Sequence, residues 1–177
     1  INSLEATRFV AKAEVASWPV IGTVARAFGT IFITRGSCRA AARTVGQLAT
    51  ALCNGEAVAA FPEATTSDGR GLLPFYPAMF QAAALSGARV QPVALSYHDA
   101  AGRPTDAAAY VGDMSIADSL RRLLRHRRLR VDVHLCPPID PHGLHRRELA
   151  GRARQAIAAA LGVAVAERAP APLRRAA

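Results

Sequence analysis

The run AVAAF, Ala57 to Phe61, passes directly into PEATTSDGRG, Pro62 to Gly71. Continuous apolar residues of that length have the pattern of a strand covered on both faces, as in a parallel sheet. The segment that follows is chemically richer than a hairpin turn, which Asn-Gly or Asp-Gly alone would close. It carries a carboxylate at Glu63, hydroxyls at Thr65, Thr66 and Ser67, and glycines at Gly69 and Gly71. Two readings are open here. The hydroxyls and freed backbone N–H groups could cradle an anion off the end of a strand, where open α/β sheets place their ligands. Alternatively, Thr and Ser bond their own backbone, Asp68-Gly69 turns the chain, and Glu63 caps a helix or pairs with an arginine.

Working outward, TRFVAK (Thr7–Lys12) and TIFIT (Thr30–Thr34) are β-branched and aromatic runs with basic residues at Lys12 and Arg35. Between them, Pro19 and Gly29 bracket a short helix. Ser37 can cap a helix through Leu52 that places Ala41, Val45, Leu48 and Leu52 on one face. A helix over Pro77–Leu85 precedes the strand VQPVALSY (Val90–Tyr97), in which Pro92 must sit at an edge or bulge. Ser115–Arg128 sets Ile116, Leu120, Leu123 and Leu124 against Arg121, Arg122, Arg125 and Arg128, an amphipathic helix with a basic face. That face suits either solvent or an anionic lipid surface. Leu129, Val131, Val133 and Leu135 alternate with polar residues as a half-exposed marginal strand, and Leu149, Ala153, Ile157 and Leu161 space a last helix. The alternation predicts an α/β fold with a mixed, largely parallel central sheet flanked by helices. One domain is expected over 1–162, with 163–177 a flexible basic tail.

The bulk properties agree with one core. A chain of 177 residues buries about 70% of its unfolded surface, and 51% hydrophobic against 20% charged residues is too apolar for disorder. The formal charge of +9 admits nucleic acid or an anionic membrane as partner. No helix-turn-helix, zinc-finger or aromatic RNA motif is present, however, so nucleic acid is not expected. Cys38, Cys53 and Cys136 form no C-x-x-C pair, and neither a disulfide framework nor a metal site is indicated. No apolar run approaches the ~20 residues of a membrane span. The chain begins at Ile1 rather than Met, which reads as an internal start.

Taken in order, RFVAKAEV, WPVIG, GTIFITRG, FPEATTSDG and VQPVAL resemble the phospholipid/glycerol acyltransferase family, the lysophosphatidate acyltransferases. The resemblance runs from about Leu4 to Tyr97 and more loosely to about Leu161. It implies the fold of that family and transfer of a fatty acyl group from acyl-CoA or acyl carrier protein to the hydroxyl of a lysophospholipid, 1-acylglycerol-3-phosphate first. No cofactor or metal beyond the acyl donor is implied. Arg35, Glu63 and the segment Thr65, Thr66, Ser67, together with Phe61, Pro62 and Lys12, would shape the acceptor's site. The setting implied is the cytoplasmic face of a membrane.

This chain departs from the family pattern in three places. Ala64 stands where the family has Gly, which costs freedom if the position needs positive φ. Thr66 stands where it has Arg, removing a bidentate phosphate donor; the variant resembles lyso-ornithine-lipid acyltransferases, the alternative acceptor. Finally, the family's catalytic His-x-x-x-x-Asp is absent from these residues, because no histidine has an aspartate five positions later. That motif is expected upstream of Ile1, which would leave this segment inactive alone. A non-catalytic module that binds anionic lipid or nucleic acid is the competing class.

Overall fold

The computed structural model describes residues 7–33, 38–65, 71–109 and 114–165. It divides into two compact units. One comprises Ile1–Pro62, Tyr76–Val90 and Asp140–Ala150; the other comprises Glu63–Phe75, Gln91–Ile139 and Gly151–Ala177.

In the first unit, β1 (Thr7–Lys12) lies between β2 (Ile31–Ile33) and β3 (Ala57–Ala59) and is parallel to both. The register pairs Val10 with Ile31 and Thr7 with Ala57. Parallel neighbours require crossovers, and α1 (Ile21–Ala27) and α2 (Cys38–Cys53) supply them. On α2, Thr44, Leu48 and Ala51 are buried at helical spacing. The buried Thr44 hydroxyl donates to the Ala40 carbonyl at 3.0 Å, so its polar group is satisfied within the helix. Leu48 joins Val10, Ile31 and Ala82 of α3 (Gln81–Ser86) in the core, with Ile33, Leu52 and Val58 packed against them. The sequence expected one helix over Pro77–Leu85; the chain instead makes a 3₁₀ turn over Pro77–Phe80 and only then turns α-helical.

The entry to α1 is strained. Val20 has φ 62° and ψ −57°, and the Ile21 N–H donates to the Pro19 carbonyl at 2.6 Å. This is a classic-type γ-turn, rare for any residue and rarer for a β-branched one. Two residues on, Gly22 is buried, and a Cβ there would collide with the Ala16 carbonyl. The WPVIG block is therefore a packing device in this structure.

The second unit contains an antiparallel ribbon, β5 (Val93–His98) with β6 (Arg130–Leu135), in which Val93 faces Leu135, Leu95 faces Val133 and Tyr97 faces Val131. Pro92 lies just outside β5, and its carbonyl accepts the Cys136 N–H at 3.0 Å. The ribbon's inner face carries Ala94, 1% exposed, while Val133 and Leu135 on the other face are 61% and 67% exposed. The alternation in β6 is present, but five of its six residues are exposed, on both faces. Gly71–Leu72 (β4) pairs in parallel with Ala164–Val165 (β7), which the sequence had placed in the tail; residues 166–177 lie outside the described residues. Also in this unit are α4 (Ile116–Leu124) and most of α5 (Arg146–Leu161).

Gly22→Ala is expected to destabilise the chain by about 1–3 kcal/mol, because backbone must move to admit the methyl group. Urea unfolding followed by circular dichroism measures it.

Candidate functional site

Parallel pairing gives the three-stranded sheet a single carboxyl edge. Lys12 ends β1 there with its side chain exposed, and Phe61 and Pro62 follow β3. The strand stops at Ala59, two residues short of the apolar run, and Phe61 is 61% exposed. Its ring belongs to the edge and not to the core. The Pro62 carbonyl accepts the Tyr76 N–H at 2.9 Å, closing the base of the loop within the first unit. Arg35, Thr66 and Ser67 lie outside the described residues.

At the amino ends of the same strands, an open groove is lined by Arg8, Thr30, Gln47, Thr50, Asn54 and Glu56. Arg8 and Glu56 are ion-paired there. Ligands of open α/β sheets bind at the opposite end, and this groove holds none of the sequence-indicated residues. It is not the site.

Within the second unit, Glu63 turns its carboxylate onto its own loop. Oε2 accepts the Leu73 N–H at 3.0 Å, which joins the two ends of the segment that begins at Glu63. Arg154 of α5 donates from Nη2 to the Leu72 carbonyl at 2.8 Å, so the strand-like end at Leu72–Leu73 is held from both sides. Burial raises the Glu63 carboxyl above its ordinary value, opposed by the Leu73 N–H and by the Arg154 charge. The carboxylate is thus partly withdrawn from solvent and bonded to the backbone of its own loop. Thr65 is exposed.

Ala64 has φ +55°. The position therefore does require the left-handed region that glycine adopts without cost, and the alanine carries strain.

The structure thus places Lys12, Phe61 and Pro62 in one unit and Glu63 and Thr65 in the other. Sequence reasoning missed Leu73 and Arg154. Leu73 contributes only its N–H, which no side-chain pattern advertises, and Arg154 is one of many arginines in the chain. Two His–Asp pairs exist among the described residues, His98 Nδ1 to Asp132 Oδ2 at 3.2 Å and His142 Nδ1 to Asp140 Oδ1 at 2.6 Å, but the first bridges the β5–β6 ribbon diagonally, the second joins residues two apart, and neither has the spacing of the family's catalytic motif. Among the described residues, no three or more His, Cys, Asp or Glu could hold a metal ion.

A family model described as Acyltransferase matches residues 2–96, more than half of the chain. The chain belongs to the Acyltransferase family. It is 41% identical over 162 residues to a lyso-ornithine lipid O-acyltransferase of Pseudomonas aeruginosa, covering 91% of this chain and 62% of that protein. It is 38% identical over 133 residues to a 1-acyl-sn-glycerol-3-phosphate acyltransferase of Neisseria gonorrhoeae, covering 75% of this chain and 52% of that one. The chain thus spans half to three-fifths of the length of these relatives. The crystal structure of the 1-acyl-sn-glycerophosphate acyltransferase PlsC from Thermotoga maritima superposes with a TM-score of 0.56 at 20% identity, covering 89% of this chain and 56% of that one. The mixed α/β architecture with a parallel sheet is therefore that of the family.

Two expectations test the loop. Ala64→Gly should stabilise the chain by about 0.5–1 kcal/mol in urea unfolding, since relief of left-handed strain exceeds the added chain entropy. Glu63→Gln keeps an acceptor for the Leu73 N–H and removes the titration. A carboxyl raised in the folded state binds its proton more tightly there than in the unfolded chain. The stability it contributes is therefore largest when protonated and falls as pH rises through the raised value. The wild type should lose stability relative to Glu63→Gln between acid and neutral pH, measured as the difference in urea midpoints.

Proposed function

We propose that the protein carrying this chain transfers a fatty acyl group from acyl-CoA or acyl carrier protein to the hydroxyl of a lysolipid at a membrane's cytoplasmic face. The observation that carries the reading is the FPEATTSDG segment leaving β3 at the carboxyl edge of a parallel sheet, in a chain of the Acyltransferase family. In such a reaction the acceptor oxygen attacks the thioester carbonyl, the C–S bond breaks, and the hydroxyl proton passes to a base and on to the leaving thiol. The base would be the histidine of a His-x-x-x-x-Asp element, which these residues lack. Their part is positioning: Glu63 and Arg154 fix the loop, and Lys12 with Arg35 supplies positive charge for the head group. Holding the acceptor turns attack into a nearly unimolecular step.

For the acceptor we favour a lyso-ornithine lipid. Thr66 replaces the arginine that would grip a phosphate bidentately, and Asp68 in the same loop suits an ammonium group. The 41% identity to the Pseudomonas aeruginosa protein supports the same choice. Lysophosphatidate is the second reading, favoured by Arg35 and by the Neisseria gonorrhoeae relative.

The test assays the reading frame extended upstream through a His-x-x-x-x-Asp element, with labelled acyl donor and each acceptor in turn. Transfer to lyso-ornithine lipid should exceed transfer to lysophosphatidate by at least ~10-fold, the worth of one lost charge-assisted contact. Thr66→Arg should narrow that ratio, and His98→Asn should leave the rate unchanged. The 177 residues alone should show no turnover. Absence of transfer to either acceptor from the extended protein rejects the proposal.

A further inference from the structure

The second unit presents an amphipathic helix whose apolar side is open to solvent. On α4, Leu120 is 55% and Leu124 77% exposed, with Leu123 at 37% beside them. The helix is well formed: Ser115 caps it, its Oγ accepting the Asp118 N–H at 3.1 Å. Arg121 pairs with Asp118 at 2.9 Å and Arg122 with Asp106 at 2.7 Å. The leucines therefore project from a capped helix, Leu124 from its last residue.

Charge surrounds them. From 114 to 130 there are six arginines and one acid, Asp118. Because Arg121 and Arg122 already face aspartates, the uncompensated charge falls on the connection to β6, where Arg125, Arg127 and Arg128 are all exposed.

Solvent alone accounts for the arginines and leaves the leucines unexplained. A nucleic-acid backbone would likewise recruit the arginines and gain nothing from the leucines, since its sequence-independent binding comes from phosphate neutralisation. An anionic bilayer uses both at once. Leucines enter the boundary between head groups and acyl chains while arginines stay among the lipid phosphates. We infer that α4 and the 125–128 connection form an interfacial docking element for an anionic membrane, with Leu120 and Leu124 as the inserting residues. This rests on the acyltransferase reading, for which a lysolipid acceptor must be met at a membrane surface, but its test requires no turnover.

The 177-residue chain is sedimented with vesicles of phosphatidylcholine alone or with added phosphatidylglycerol, at low and high salt. Binding is expected to the anionic vesicles only and to weaken with salt. Arg125→Gln/Arg127→Gln/Arg128→Gln should reduce it by on the order of 100-fold, at ~1 kcal/mol per arginine near a charged leaflet. Leu120→Ser/Leu124→Ser should reduce it by at least ~10-fold. Hydrogen exchange on the unaltered chain should show new protection over 116–128 when vesicles are added, which answers for any variant that misfolds. Equal binding to neutral vesicles, undiminished binding of either variant, or protection confined elsewhere overturns the inference. So does salt-sensitive retention on duplex DNA without vesicle binding. Vesicle binding by this chain with no acyl transfer from the extended protein would uphold the inference and reject the acyltransferase reading alone.

Discussion

The parallel pairing of β1 with both neighbours is the constraint on which the first unit depends. A parallel pair cannot be closed by a tight turn, so α1 and α2 must intervene, and both return the chain to the same end of the sheet. The outgoing segments after β1 and β3 consequently emerge side by side, which puts Lys12 and Phe61-Pro62 on one edge without any direct attraction between them. The burial that enforces this is small: Val10, Ile31, Leu48 and Ala82 form the closed centre. A few aliphatic side chains and short strands suffice because the geometry is imposed by connectivity.

Much of this was legible in the sequence. β1 runs over Thr7–Lys12 as its β-branched and aromatic residues indicate, and α2 extends one residue beyond the Leu52 read from its spacing. The failures have identifiable causes. Ala57–Phe61 was expected to be strand throughout, but pairing with β1 ends at the Phe9–Ala59 register although β1 itself continues to Lys12, so β3 leaves the sheet two residues early. β4 and β7 are two residues each, too short for any periodicity to mark them. β6 has the expected alternation with both faces largely exposed, since a period of two specifies that faces differ and not that either is covered.

For the loop, the residues alone could not separate a ligand cradle from a self-bonded turn. Glu63 is engaged with its own backbone, and Ala64 holds a left-handed conformation that a plain turn of L-residues would avoid. Neither feature was derivable locally. The partner of Glu63 is a backbone N–H ten residues on, and the charge that moderates it sits on α5. Thr65, next to Ala64, is exposed.

The outward apolar side of the β5–β6 ribbon has a colloidal consequence. A two-stranded surface bearing Val133 and Leu135 at more than half exposure is cohesive toward its own copies. What opposes that cohesion between free chains is mutual repulsion from the formal charge of +9. The two have different ranges and different sensitivities: salt shortens the reach of the repulsion to a few ångströms and leaves the apolar attraction intact. Dispersion of this chain in water is thus a balance held by arginine, and ionic strength is the variable that tips it.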